Sequence, residues 1–260
     1  MKNIVFMVEI DKTEGESVSV EEYQDALERK KPYWYSHASW KKWCDKNDAE
    51  IFLLTERIYP KDVMNPNWHK LFAFELLDNE GIEYDQILVV DADTIVHPNA
   101  PNFFELSDNK FIAVHNEGCY DWLCRSVENY SKHIFDNHQL SPWEYFNSGF
   151  MIVNKTHKKL FSDIIKFYLD NSKSLKEFQE KYGCGTDQPI INFFVDMSNV
   201  DKKLFPYEFN MQDMPRKEIL DNELTFTKLG WVYHFNAIPG GPETTHHWMK
   251  KTYEYLKEKY

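Results

Sequence analysis

Short apolar runs alternate with longer amphipathic segments over the first ninety residues. The runs that have the length and composition of buried β-strands are residues 3–10, 49–56 and 86–90. Residues 18–48 and 65–81 carry apolar positions at helical spacing, with Pro32 expected to interrupt the first helix and Gly81 to end the second. Strands that alternate with helices predict a parallel sheet with helical crossovers, and therefore an α/β chain.

The pattern is less regular after residue 100. Strands are predicted for residues 109–116, for the second half of 144–155, and for 228–241, which runs into a Gly/Pro loop. Helices are predicted for residues 156–173, 186–197 and 248–260. Residues 119–143 have a mixed pattern that is typical of loops. A polar segment is expected to lead from the helix that begins near 156 to Gly183.

Composition and charge narrow the function. The chain has 260 residues, 42% of them hydrophobic, which suits one large domain with a substantial core. No run of about 18 apolar residues predicts a transmembrane helix, and the short N-terminal run meets Glu9 and Asp11, unlike a signal peptide. The net charge of −12 disfavours a nucleic-acid partner, because phosphate backbones need a basic surface. The cysteine spacing indicates reduced thiols in a cytoplasmic protein. In an oxidising compartment, Cys119 and Cys124 could instead form a disulfide.

Two carboxylates, Asp91 and Asp93, directly follow the third apolar run. In open parallel sheets, ligands bind outside the carboxyl ends of the strands, where these residues are predicted to lie. Residues i and i+2 of an extended chain face the same side, so both carboxylates would converge while Ala92 turns away. Such close like charges repel unless a cation lies between them, and oxygen ligands suit Mg²⁺ or Mn²⁺. On these residues alone, a solvated strand end or a helix N-cap at Asp93 is an equal alternative.

Three later segments carry further candidate groups. Residues 146–149 (FNSG) precede a predicted strand and offer hydrogen bonds, but a plain turn is favoured when this segment is taken alone. Asp187 and Gln188 stand at a predicted helix start, where an N-cap by Thr186 or Asp187 is the more frequent use of such residues. His234 ends a predicted strand, and its neutral imidazole could complete a metal site that has two carboxylate ligands.

Four elements in this order resemble the GT-A glycosyltransferases, most closely their glycogenin-like and galactosyltransferase members. They are D-x-D at 91–93, F-N-S-G at 146–149, D-Q at 187–188 and H-F-N at 234–236. The resemblance implies a GT-A (Rossmann-like) α/β fold with a mixed, mostly parallel sheet flanked by helices. It also implies a single domain, 1–260, that consists of a nucleotide-binding half (1–100), an acceptor and metal half (101–241) and a C-terminal helix (242–260).

The resemblance further implies metal-dependent transfer of a hexose from a nucleotide-diphosphate-sugar, with UDP the expected nucleotide, to a hydroxyl acceptor such as a glycan. Asp91, Asp93 and His234 would hold Mn²⁺ or Mg²⁺ between them, and Asp187 and Gln188 would be the catalytic residues. The implied nucleotide and donor contacts are Val8, Glu9, Ile10, Lys70, Asp91, Ala92, Asp93, Asn147 and Ser148. Residues 117–145 are expected to carry the acceptor specificity.

Two other functions fit part of the pattern. A haloacid-dehalogenase-type phosphatase has D-x-D-x-T after a hydrophobic strand, as in VVDADT, with Asp91 as its nucleophile; the motif usually stands near the N-terminus and needs a late acidic pair that this sequence lacks. A non-catalytic sugar-nucleotide-binding module would share the fold without turnover.

The lysines of the last helix could contact a membrane surface, but its alternating glutamates favour a plain solvated helix.

Overall fold

The computed structural model describes residues 2–10 and 33–260, which form alternating strands and helices. The strands are β1 (Asn3–Val8), β2 (Ala49–Leu54), β3 (Gln86–Asp91), β4 (Thr94–Val96), β5 (Phe111–His115), β6 (Phe146–Asn154), β7 (Lys202–Phe205) and β8 (Val232–His234). The α-helices are α1 (Tyr33–Lys46), α2 (Ala73–Asn79), α3 (Tyr120–His133), α4 (Lys158–Tyr182), α5 (Asp187–Met197) and α6 (Pro242–Lys259). Short 3₁₀ helices span Pro66–Phe72, Pro142–Glu144, Lys155–His157, Tyr207–Phe209 and Thr225–Lys228.

The central sheet has six strands in the order β2-β1-β3-β6-β5-β7. Its pairs are parallel except where β6 lies antiparallel to β3 and to β5. This mixed, mostly parallel α/β sheet flanked by helices is the predicted fold class. A separate two-stranded antiparallel ribbon, β4 with β8, pairs Thr94 with His234. The ribbon brings the late part of the chain beside the end of β3.

Both faces of the sheet are buried, which explains why its strands are continuous apolar runs in the sequence. Along β3, Ile87 and Val89 face one core cluster, while Leu88 and Val90 face a second cluster that includes Trp40 of α1. A third cluster packs the β4–β8 ribbon against α6. These contacts fix the end of β3, and hence the predicted site, between the sheet and the ribbon.

The loop-like interpretation of residues 119–143 is wrong, because they contain the four-turn helix α3. Its buried side includes Ser126 and Ser131 together with Leu123, Val127 and Tyr130. The buried positions of α3 recur at helical spacing only when the two serines are included. Because serine is polar, the apolar residues alone do not show this spacing.

Other element boundaries also differ from the prediction. Helix α4 continues to Tyr182 and buries Phe178 in the segment that was expected to be polar, ending where Gly183 adopts a left-handed φ of 59°. The predicted helix 65–81 begins as a 3₁₀ helix and becomes α-helical only at Ala73. Strand β7 was not predicted, and the last helix begins at Pro242, whereas apolar spacing placed its start at residue 248.

The predicted helix 18–48 lies outside the described residues as far as residue 32, and its remainder is α1. All four cysteines are free thiols, so Cys119 and Cys124 are not bridged. Within residues 2–10 and 33–260, no helix combines the length and apolarity needed to cross a membrane.

Candidate functional site

The carboxylates of Asp91 and Asp93 meet the imidazole of His234 at the end of β3. His234 Nε2 lies 3.1 Å from Asp93 Oδ1 and 3.7 Å from Asp91 Oδ2. One ligand atom from each residue falls within 4.8 Å of the others. Asp93 lies in a turn rather than in extended backbone, so convergence arises from this turn and from the pairing of Thr94 with His234.

These three side chains fit a divalent metal ion. Two carboxylate oxygens and one imidazole nitrogen form a donor set that suits Mn²⁺ or Mg²⁺. Burial lowers the pKa of His234, but the adjacent Asp93 and Asp91 carboxylates outweigh burial and raise it overall. Burial likewise raises the pKa of Asp93, and the charge of His234 lowers it overall. The pocket therefore favours a positive charge between its two carboxylates, which is the role that a metal ion could take.

Gly149 leaves room beside Asp91, Asp93 and His234, which together form what we call the metal pocket. A Cβ atom at this position would lie 2.6 Å from His234 Cε1, 2.7 Å from Asp91 Oδ2 and 2.8 Å from Asn147 Oδ1. The expected turn at 146–149 is wrong, since these residues open β6, where the first two pair with β5 and the register then shifts. Only glycine leaves room here because the strand passes directly beside the three ligands.

Replacing Gly149 by alanine should therefore weaken Mn²⁺ binding by about tenfold or more, an effect typical of changes beside metal ligands. The added methyl group would displace His234 and Asp91 from their present positions. Calorimetric titration with Mn²⁺ measures the effect, and chemical unfolding of the same sample shows whether the fold survives. Wild-type Mn²⁺ affinity in a folded Gly149→Ala protein would contradict this description of the pocket.

Behind the metal pocket, the buried Lys70 joins two carboxylates. Lys70 Nζ donates to Asp91 Oδ1 at 2.6 Å and to the carbonyl oxygen of Ser148 at 3.4 Å, and it lies 3.4 Å from Asp187 Oδ2. The residue is only 4% exposed. Burial lowers its pKa, but Asp91 and Asp187 outweigh burial and raise it overall, so that the ammonium stays charged.

Asp187, the first residue of α5, has both carboxylate oxygens occupied. Oδ1 accepts from Asn67 Nδ2 at 2.6 Å and from Thr186 Oγ1 at 3.0 Å, and Oδ2 accepts from Ser148 Oγ at 3.2 Å. Burial raises the pKa of Asp187, but Lys70 and these hydrogen bonds lower it overall. The alternative that Thr186 caps the helix is wrong, because its side chain makes no cap hydrogen bond.

The start of β6 and the start of α5 are joined by side-chain amides. Gln188 Oε1 accepts from the backbone N–H of Ser148 at 3.1 Å. Asn192, which the sequence did not single out, accepts from Phe146 N–H through Oδ1 at 2.8 Å and donates through Nδ2 to the carbonyl oxygens of Phe146 and Gln188, both at 2.9 Å. These bonds hold the two predicted motifs in one fixed arrangement.

A cleft of about 250 Å³ opens over this arrangement. The predicted residues that line it are Lys70, Asp91, Asp93, Asn147, Ser148, Asp187, Gln188 and His234. The lining residues that the sequence did not single out as candidate contacts are Asn67, Trp122, Thr186 and Asn236. Trp122 lies on α3, in the segment interpreted as loop, and so carried no usable signal.

The remaining predicted contacts lie outside this cleft. Val8 ends β1 and pairs in register with Asp91, and Glu9 donates its backbone N–H to the next strand, β2. Val8, Glu9 and Ile10 therefore stand at the same sheet edge as the metal pocket. Ala92 is buried in the second core cluster and is not among the residues that line the cleft.

A family model described as Glycosyl transferase family 8 matches residues 17–223. This match contains the D-x-D, F-N-S-G and D-Q motifs and ends before His234. A search of curated proteins finds no match.

Solved structures of glycosyltransferases are similar to this one. A glycosyltransferase involved in the glycosylation of the major capsid of PBCV-1 has a TM-score of 0.57 and 11% identity, with 96% of this chain and 98% of that chain covered. The apo bifunctional glycosyltransferase WbbM has a TM-score of 0.50 and 13% identity, covering 98% of this chain and 51% of that one. The galactosyltransferase LgtC, in complex with donor and acceptor sugar analogs, has a TM-score of 0.49 and 16% identity, with coverage of 98% and 95%.

The family match decides between the alternative functions. It extends over most of the chain, and the sheet has the architecture of GT-A glycosyltransferases. The haloacid-dehalogenase-type phosphatase and the non-catalytic module are therefore set aside, and the protein is an enzyme that transfers sugar. The D-x-D, F-N-S-G and D-Q motifs lie in the matched segment and line one cleft, and the chain belongs to glycosyl transferase family 8.

Proposed function

We propose that the protein transfers a hexose from a nucleotide-diphosphate-sugar, a UDP-sugar, to a hydroxyl group of a glycan. Asp91, Asp93 and His234 would hold Mn²⁺ or Mg²⁺ in this reaction. The observation that carries the proposal is the convergence of these three ligands at the carboxyl edge of the sheet, within the cleft lined by Asp187 and Gln188. Ligands of open α/β sheets bind at this edge.

The metal ligands suit a diphosphate leaving group. A chain with a net charge of −12 needs a local cation to bind such an anion. A bound divalent ion would supply Lewis-acid stabilisation of the charge that develops on the diphosphate. In this proposal Asp91 and Asp93 would hold the ion with carboxylate oxygens, and the buried His234 would supply a nitrogen ligand.

Lys70, Ser148 and Asp187 would organise the donor-sugar side. Lys70 orients Asp91 through its 2.6 Å bond and keeps Asp187 ionised. An ionised carboxylate beside the cleft would stabilise the positive charge of an oxocarbenium-like sugar. Because the pKa of Asp187 is lowered and both its oxygens accept hydrogen bonds, this residue is better suited to electrostatic stabilisation than to proton abstraction. Gln188 would contact the same sugar from the cleft wall.

The nucleoside would lie along the neighbouring strand end. Val8 ends β1 and pairs with Asp91, and Glu9 and Ile10 follow this strand. Residues 1–100 would then serve as the nucleotide-binding half. Residues 101–241 would serve as the acceptor and metal half, since this part supplies Asn147, Ser148, Asp187, Gln188 and His234. We further propose a cytoplasmic location, which the four free thiols support.

A panel of nucleotide-sugars tests this function. At least one UDP-sugar, present at about a hundred times its dissociation constant with Mn²⁺, should stabilise the protein by about 2.7 kcal/mol, which raises Tm by roughly 5 °C or more. The same sugar with excess EDTA should give no such shift, because its diphosphate would lack the divalent ion. Thermal unfolding followed by fluorescence measures both. Equal shifts with and without metal, or none across the panel, would contradict the proposal.

A further inference from the structure

Two strongly exposed aromatic rings, Trp143 and Tyr120, contact each other on the protein surface. Trp143 is 70% exposed and Tyr120 is 55% exposed. Their ring centroids are 6.1 Å apart and their planes differ by 33°. Among the residues that the structure describes, no other two rings of this exposure are in contact. Leaving both rings in water forfeits the stabilisation that their burial would provide, and such patches mark binding surfaces.

Strand topology places both rings at the sheet edge that carries the metal pocket. Strands β3 and β5 run in the same direction, and β6 runs between them in the opposite one. The ends of β3 and β5 and the start of β6 therefore share one edge. Tyr120 follows β5, Trp143 precedes β6, and Asp91 ends β3. Trp122, two residues after Tyr120 on α3, already lines the cleft.

Both rings are attached to backbone that is held in place. Ser141 Oγ accepts the backbone N–H of Trp143 at 3.3 Å, which fixes the short 3₁₀ helix that presents the indole. The residue before Tyr120, Cys119, donates its backbone N–H to the buried Asp213 at 3.1 Å. A partner would therefore find the rings already oriented, which lowers the entropic cost of binding.

We propose that Trp143 and Tyr120 form an acceptor subsite that stacks against a pyranose ring of a neutral glycan, outside the position where sugar is transferred. The proposal rests on the proposed function, since the glycan would be the second substrate of the same cleft. Aromatic side chains offer a large rigid contact surface for little loss of rotamer freedom, and the C–H face of a pyranose is apolar. The acidic neighbours Asp121 and Glu144 are each paired with a cation, Arg125 at 2.6 Å and Lys202 at 3.2 Å, and this balanced charge suits a neutral glycan.

Binding of the full-length protein to an immobilised panel of neutral oligosaccharides, with UDP and Mn²⁺ present, tests the subsite. Trp143→Ala should weaken binding to the recognised glycans by about tenfold or more, as at other exposed aromatic anchors, and Tyr120→Ala should also weaken it. Trp143→Phe should keep most of the affinity because it keeps a flat ring. Tyr260→Ala is the matched control for Tyr120, since Tyr260 is 54% exposed at the chain end. For a recognised glycan, Trp143→Ala should raise the acceptor KM and leave kcat within about twofold.

The outcomes separate this proposal from the proposed function. Equal glycan binding by wild type and Trp143→Ala, or no recognised glycan on the panel, would overturn the subsite. A change in oligomeric state in Trp143→Ala, seen by light scattering, would also overturn it by marking the rings as a protein interface. Metal-dependent stabilisation by a UDP-sugar is measured on the same variants. If the protein keeps this stabilisation, the proposed function stands whatever the glycan panel shows. If the wild type lacks it, the result counts against the proposed function, and glycan binding remains the test of the subsite.

Discussion

Replacing Asp93 by asparagine should lower kcat for sugar transfer by about a thousandfold, the scale expected when a metal site loses its charge balance. The amide has no negative charge, and its NH₂ group would face His234, from which Asp93 Oδ1 is now 3.1 Å away. The side chain is partly exposed and its ion pair is with His234, so the fold should persist. Transfer measured at saturating UDP-sugar over a range of Mn²⁺ concentrations gives the result.

The matched control for this substitution is Asp163→Asn on the exposed face of α4, where the carboxylate pairs with Lys159 one turn earlier in the helix. Exposed pairs of this kind contribute between about 0 and 1 kcal/mol, so this variant should transfer sugar at the wild-type rate. Undiminished transfer by Asp93→Asn, with Asp163→Asn also normal, would remove Asp93 from the metal site.

Replacing Lys70 by methionine should lower the free energy of unfolding of the metal-free protein by about 3 kcal/mol. Methionine keeps most of the side-chain volume, but it leaves the buried carboxylate of Asp187 without its cation. Urea denaturation monitored by tryptophan fluorescence measures the loss. Sugar transfer should also fall, because Asp91 loses the 2.6 Å bond that orients it.

A double variant separates charge from packing at this position. Adding Asp187→Asn to Lys70→Met removes the uncompensated charge, so part of the lost stability should return while sugar transfer stays low. Lys166→Met is the matched surface control, because Lys166 pairs with Asp170 on the exposed face of α4, and its change should stay within about 0.5 kcal/mol. Equal stability of the wild type and Lys70→Met would contradict the description of Lys70 as a buried counterion.

The apolar pattern predicted the sheet because burial on both faces leaves a strong and simple signal. Strand β3 is a continuous apolar run that ends at Asp91, so its role as a central strand and the chemistry at its end were both visible. The convergence of His234 was inferred from its strand-end position and from the family resemblance. The ribbon that achieves it has only three residues in each strand, too few for a periodic pattern.

The parts of the site that the sequence missed depend on contacts between distant segments. Asn192 looks like an ordinary polar residue of a helix, and only the tertiary structure shows that it bonds to Phe146. The burial of Lys70 also depends on tertiary contacts. Its position in a short amphipathic helix does not reveal that it lies between Asp91 and Asp187. Trp122 was overlooked because serines on the buried face of α3 masked the helix that carries it.

Asp91, Asp93 and His234 should bind one divalent ion together with the nucleotide diphosphate. Calorimetric titration of Mn²⁺ into the protein with saturating UDP measures this binding, with His234→Ala as the comparison. We expect one Mn²⁺ per chain in the wild type and an affinity lowered by about tenfold or more in His234→Ala, because a neutral methyl group replaces one of three ligands. An unchanged Mn²⁺ titration in a folded His234→Ala protein would remove His234 from the metal site.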